Sequence, residues 1–234
     1  MQASGAQRCP ETAQNVAAIA SPMRRSKRET EVFMGKVLVG TTMSLDGFIQ
    51  DRNGDVSRLY PDLAALRKTE MLQEAIQTTG AVVMGRRAFD MGDPDWYVDN
   101  YEYQVPIFVL THAVPEKLPK ENEKLTFTFV TSGIESAIAQ AKAAAGDKQV
   151  TVIGGAHTAQ QCIRAGLVDE IQIGIMPVLL GEGLRFFEHL GTEPIELEKM
   201  RVIESPTRMD LRFRVVKKAK ETPDEPRIRD FDLD

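Results

Sequence analysis

The run Val150-Thr-Val-Ile-Gly-Gly-Ala-His-Thr-Ala-Gln-Gln-Cys-Ile163 constrains this chain most. A short β-branched stretch hands over, through two glycines, to a helical pattern. Residues without side chains let a strand turn sharply into a helix and let a bulky phosphate approach the backbone. The first N–H groups and the positive dipole end of that helix then face the phosphate. The third glycine of the dinucleotide fingerprint is absent, so the motif gains meaning only from the rest of the chain.

That rest alternates. Compact apolar runs of strand type cover 36–42, 81–84, 106–111, 125–131 and 149–153, and a further long one begins near Glu170. Between them, 61–79 has helical spacing: Leu72, Ala75, Ile76 and Thr79 fall at i, i+3, i+4 and i+7, with Pro61 in the first turn and Gly80 as the stop. Residues 86–91 read as a short helix after Gly85, and 92–103 as irregular. Ile134, Ala137, Ile138, Ala141 and Ala145 form an apolar stripe closed by Gly146, and 156–165 is the helix after the double glycine. Near-continuous apolar strands separated by helices require a parallel sheet covered on both faces. The last two strand-like segments, 195–204 and 208–216, are joined by Ser205-Pro-Thr207 and read as an antiparallel hairpin. The expected class is α/β, with a mixed, mostly parallel sheet between helical layers.

Composition narrows the function classes. The chain has 234 residues, enough for one sizeable core, with 42% hydrophobic and 27% charged residues, as in ordinary globular domains. A net charge of −5 gives no reason to expect nucleic acid, and no apolar run approaches membrane-spanning length. Cys9 and Cys162 are too few for a disulfide framework, and His112, His157 and His189 lack metal-ligand spacing. No metal and no membrane partner is therefore expected, and a reducing, cytoplasmic compartment is. Residues 1–33, with the basic run Arg24-Arg-Ser-Lys-Arg28, read as a solvated leader or a targeting signal. Residues 34–220 form the domain, and 221–234 read as a mobile acidic tail.

Five short motifs occur in order: Thr42-Met-Ser-Leu-Asp-Gly-Phe48, Val83-Met-Gly-Arg-Arg87, Val109-Leu-Thr-His112, Ile153-Gly-Gly155 and Pro177-Val-Leu-Leu-Gly-Glu-Gly183. Together they resemble the dihydrofolate-reductase-like superfamily. Within it, the stretch 35–218 is similar to the C-terminal reductase domain of bifunctional riboflavin-biosynthesis deaminase–reductases. No His-x-Glu or Pro-Cys-x-x-Cys zinc signature of the deaminase half occurs, so a stand-alone relative is expected. The resemblance implies the three-layer dihydrofolate-reductase-like fold, a homodimer, NADPH as cofactor and a small-molecule substrate.

The resemblance also distributes roles. Gly85, Arg86 and Arg87 would offer helix N–H groups and guanidinium forks to phosphate, with Thr111 and His112 beside the adenosine 2′-phosphate. Gly154, Gly155, Ala156, His157 and Thr158 would hold the pyrophosphate, Ala156 standing where the fuller family turn often has another glycine. Thr42 and the Leu45-Asp46-Gly47 turn would close over nicotinamide, and Gly181 and Gly183 would lie near the cofactor and the subunit contact. Asp62 corresponds to the acid that contacts the pterin in dihydrofolate reductases. In the first helical turn it equally serves the helix dipole, and the sequence leaves both open. Trp96-Tyr97 is an alternative wall for the substrate pocket. The implied activity is hydride transfer to a pteridine, pyrimidine or other small heterocyclic or carbonyl substrate, of the dihydrofolate or 5-amino-6-(5-phosphoribosylamino)uracil reductase type. A catalytically weak nucleotide-binding module and an FMN-binding variant remain as alternatives.

Overall fold

Alternating burial along the strands decides how the layers assemble. On β3 (Thr79–Gly85), Ala81 and Val83 pack into one core cluster, while Val82 and Met84 pack into another. A strand buried on both faces needs apolar residues in both phases of its period of two. The computed structural model describes residues 35–61 and 63–217. The expected leader at 1–33, Asp62 and the expected tail at 221–234 lie outside the described residues.

The main sheet has eight strands in the order β5-β4-β3-β6-β1-β7-β10-β9. β1 (Val37–Ser44) and β6 (Gln149–Ile153) are parallel neighbours, and β7 (Glu170–Met176) lies parallel on the other side of β1. β4 (Ile107–Leu110) and β5 (Phe127–Val130) extend the parallel set beyond β3. β10 (Met209–Val215) runs antiparallel to both β7 and β9 (Leu197–Glu204). The mixed sheet and terminal hairpin are those the sequence predicts. A small second sheet is not: β2 (Phe48–Asp51) pairs with β8 (Gly183–Arg185).

Helix α5 (Ile134–Ala145) turns its alanine and isoleucine stripe onto one face, together with α6 (Ala156–Arg164). The other face is covered by α2 (Glu70–Thr78) and by the aromatic segment that follows α3 (Arg86–Phe89). The segment 92–103 is more ordered than expected. A 3₁₀ turn at Pro94–Trp96, capped by the Asp93 side chain, leads into the short α4 (Tyr97–Asn100).

The single helix expected over 61–79 is two. α1 (Leu63–Arg67) stops, and Thr69, in an extended conformation, accepts from Leu72 N as the N-cap of α2 while its hydroxyl donates to the Leu66 carbonyl. Nor does Gly80 end the helix. Thr79 passes straight into β3, its hydroxyl 2.6 Å from the Ala75 carbonyl and 2.6 Å from Thr151 Oγ1. Gly80 serves packing instead, since a Cβ there would lie 2.6 Å from the Ala145 carbonyl.

Charges lock α2 to the sheet. Arg212 of β10 donates from Nε to Glu170 (2.8 Å) and from Nη1 to Glu74 of α2 (3.0 Å). Arg201 of β9 holds the other Glu74 oxygen at 2.7 Å and reaches Glu70 at 2.6 Å, and Lys36 holds Glu170 at 3.0 Å. Arg212 and Glu170 are almost wholly buried, at 7% and 2% side-chain exposure. Removing one member of a buried pair strands its partner's charge. Arg212→Leu is therefore expected to lower stability by about 3 kcal/mol, read by urea unfolding. Glu198→Gln, at the exposed Arg214–Glu198 pair, should change it by less than about 0.5 kcal/mol.

Candidate functional site

Two glycine-to-helix junctions interlock at the carboxyl ends of β3 and β6. Gly154 and Gly155 have φ of +70° and +71°, the left-handed region that favours glycine. A Cβ on Gly154 would come within 2.9 Å of Ala88 Cβ, and one on Gly85 within 2.5 Å of Thr158 Oγ1. Each glycine thus admits the helix that follows the other strand. The first hydrogen bonds of α6 run from Thr158 and Ala159 to the Gly155 carbonyl, leaving the N–H groups of Ala156 and His157 for a partner outside the helix. Ala156 is fully buried, so its methyl belongs to the core below the turn, while His157 is exposed.

The basic residues nearby divide in role. Arg86 donates through Nε to both oxygens of Asp90 (2.8 and 2.9 Å) and through Nη1 to the Ala113 carbonyl (3.2 Å). Thr111 Oγ1 donates to that same carbonyl at 2.8 Å. Arg86 therefore braces the loop after β4 against α3. Arg87 and His112 are exposed and make no hydrogen bond or ion pair within the described residues. Lys117 is spent on Asp95, 3.0 Å away.

In place of a free lid, the Leu45-Asp46-Gly47 turn is pinned. Leu45 N donates to Val178 O, and Phe186 N to Gly47 O. Asp46 accepts from Ser44 Oγ (2.5 Å), Leu180 N (3.1 Å) and Gly181 N (2.8 Å). The Ser44 hydroxyl foremost, helped by these backbone donors against some desolvation, lowers the Asp46 pKa from the ordinary 3.8 to about 2. Arg185 closes the turn by donating to the Asp46 carbonyl and lying 4.4 Å from the Phe48 ring centre. Gly181 and Gly183 accordingly meet Asp46 and β2. The neighbouring phenylalanines part company, Phe186 in the core and Phe187 at the surface.

Next to the glycine junction is a cleft of about 220 Å³. Its floor is one face of the sheet: Gly40 and Thr42 of β1, Thr151 and Ile153 of β6, Gln172 and Gly174 of β7. Its roof is Leu63 and Leu66 of α1, Met71, Leu72 and Ala75 of α2, and Tyr101 to Tyr103. Thr42 and Gly154 belong to this lining and to the expected cofactor set, so the cleft and the junction share a border. Burial, with Glu102 nearby, raises the Tyr103 pKa and keeps its phenol protonated. Asp62 lies outside the described residues, but Tyr60 and Leu63 on either side of it line the cleft. Trp96-Tyr97 does not form its wall. Tyr97 stacks on Phe89 at 5.4 Å and bonds its carbonyl, with a pKa raised to about 12 by desolvation and then by Asp90.

Gly40, Gln172, Gly174 and Arg208 were not expected in the site. The signal for the first three is the period of two, usable only once β1 and β7 are known to be neighbours. Nothing in the hairpin sequence marks Arg208.

Comparison with known proteins places the fold. The model of the RibD C-terminal domain family matches residues 35–210. The protein YyaP of Bacillus subtilis (strain 168), itself uncharacterised, is 29% identical over 161 residues, spanning 65% of this chain and 80% of YyaP. Among solved structures, a riboflavin biosynthesis protein assignment from Shewanella sp. PV-4 superposes with a TM-score of 0.65 at 22% identity, covering 78% of this chain and 99% of that one. Dihydrofolate reductase from Enterococcus faecalis, solved with NADP(H), superposes with a TM-score of 0.53 at 16% identity, covering 79% and 99%. The fold is dihydrofolate-reductase-like.

Gly154→Ala combines a left-handed backbone with a clash and is expected to cost about 1–3 kcal/mol. Adding Ala88→Gly should recover the clash part only, in paired urea melts. Because the Asp46 pKa is lowered on folding, its contribution is complete above pH 3.8 and is lost as pH falls from 3.8 to about 2. The melting-temperature gap between wild type and Asp46→Asn should narrow over that window.

Proposed function

We propose, for a chain that belongs to the RibD C-terminal domain family, that it is an NADPH-dependent reductase of a small heterocyclic or carbonyl substrate. The observation that carries this reading is the shared border: Gly154 belongs both to the phosphate-type turn and to the cleft wall. A dinucleotide laid across the strand ends would bring its nicotinamide to a planar acceptor in the cleft.

The residues fit the cofactor. The turn at Gly154 and Gly155 leaves the Ala156 and His157 N–H groups to an acceptor outside the helix, as a pyrophosphate requires. Arg87 and His112 supply uncommitted groups for a 2′-phosphate, while Arg86 holds the Thr111 loop that would carry it. When bound, NADPH supplies the hydride. The chain's part is to orient the acceptor between the glycine floor and the α2 roof and to keep water out. Asp62 is the proposed proton source, supported by its neighbours in the cleft wall, Tyr60 and Leu63. The pinned turn at Asp46 supports a preformed wall in place of a closing lid. A homodimer, implied by the family resemblance, and a cytoplasmic location, expected from the sparse cysteines, remain part of the proposal.

An NADPH-oxidation assay with dihydropteridine, pyrimidine and carbonyl acceptors tests the activity. No turnover of any acceptor, with NADPH bound, would favour the nucleotide-binding module. Arg87→Ala is expected to weaken NADPH about 10-fold or more while leaving NADH nearly unchanged. Arg86→Ala should weaken both, because it releases the brace. Asp62→Asn should reduce turnover without loss of cofactor affinity, and unchanged turnover would remove Asp62 from the chemistry.

A further inference from the structure

The floor of the cleft carries an arrangement that the expected cofactor set touches only at Thr42. In register across β1 and β7, Gly40 faces Gln172 and Thr42 faces Gly174. A Cβ on Gly40 would meet nothing within 4 Å, so the floor there is bare backbone under open space. A Cβ on Gly174 would lie 1.9 Å from Arg208 Nη2 and 2.6 Å from its Cζ. The guanidinium therefore occupies the volume a side chain at 174 would fill. Asp210 Oδ1 holds Nε at 3.0 Å and also takes Nη2, and the two side chains are only 12% and 3% exposed. Nη1 is left without a protein acceptor among the described residues, and so are the Thr42 hydroxyl and the Gln172 amide.

Charge decides what those groups select. Among the described residues, the charged groups lining the cleft are Arg208 and Glu102, and each has a partner: Asp210 for the first, Arg67 at 3.0 Å for the second. A phosphate needs uncompensated positive charge, which this lining does not offer. A neutral ring edge with a carbonyl acceptor beside an N–H donor matches an arginine N–H, a hydroxyl and an amide.

We propose that Arg208 is a specificity-determining residue that, with Thr42 and Gln172, selects an uncharged planar heterocycle by its ring carbonyl and against phosphorylated relatives. The inference rests on the reductase reading for its chemistry but concerns only how the acceptor binds.

The test is calorimetric titration of the full chain, with and without NADPH, using three probes of one ring system: 6-hydroxymethylpterin, its monophosphate, and 2-aminopteridine, which lacks the carbonyl. Wild type is expected to bind the hydroxymethylpterin at least about 10-fold more tightly than either other probe. Arg208→Gln should abolish the carbonyl preference while NADPH affinity stays within about two-fold of wild type. Equal or tighter binding of the monophosphate, or an unchanged carbonyl preference in Arg208→Gln, overturns the proposal. Should that variant fail to fold, Arg208→Lys, which keeps a positive charge beside Asp210 but lacks the free Nη1, takes its place with the same expected loss of carbonyl preference. Failure of NADPH to bind would sink the reductase reading instead, and leaves the probe comparison readable.

Discussion

Everything at the candidate site depends on a steric exchange between two strand ends. Gly85 makes room for Thr158, and Gly154 makes room for Ala88. Because neither glycine carries a Cβ, α3 and α6 start side by side at the same edge of the sheet. Backbone donors and the arginine-bearing turn are thereby gathered into one crevice, where open α/β sheets present ligands. Substituting either glycine would push the helices apart and disperse the donors.

A second constraint operates on the opposite side of the cleft. α2 packs only a short apolar stripe onto the sheet, with Met71 and Ala75 as its buried residues. Its position is fixed by Glu74, which is shared between Arg201 and Arg212 from the terminal hairpin. The antiparallel pair thus does more than finish the sheet: it anchors the roof through Arg212 and contributes Arg208 to the floor. The glycine junction and the cleft each draw on both halves of the chain, and they meet at Gly154.

The parallel core was readable because strands buried on both faces carry apolar residues in both phases, as in 81–84 and 107–110. The double glycine was readable because a strand-to-helix turn in the left-handed region admits little else. The break at Thr69 escaped the helical period, since a threonine N-cap inside a continuous periodic stretch leaves the spacing of Leu72, Ala75 and Ile76 intact. Gly80 was misread as a helix stop because packing against Ala145, a long-range contact, has no local signature. The same holds for the pinned Asp46 turn, whose partners lie more than a hundred residues downstream at Leu180 and Gly181. Arg208 was invisible because its meaning comes from Gly174 on another strand.

Amide-resolved hydrogen exchange with and without NADPH tests the central claim most directly, because it reports on the backbone donors themselves. The account predicts new protection concentrated at Gly85–Arg87, Thr111–His112 and Gly154–Thr158, with little change at the already bonded Asp46 turn. NADPH binding that leaves the Gly154–Thr158 amides unprotected, or FMN protecting them where NADPH does not, would contradict it.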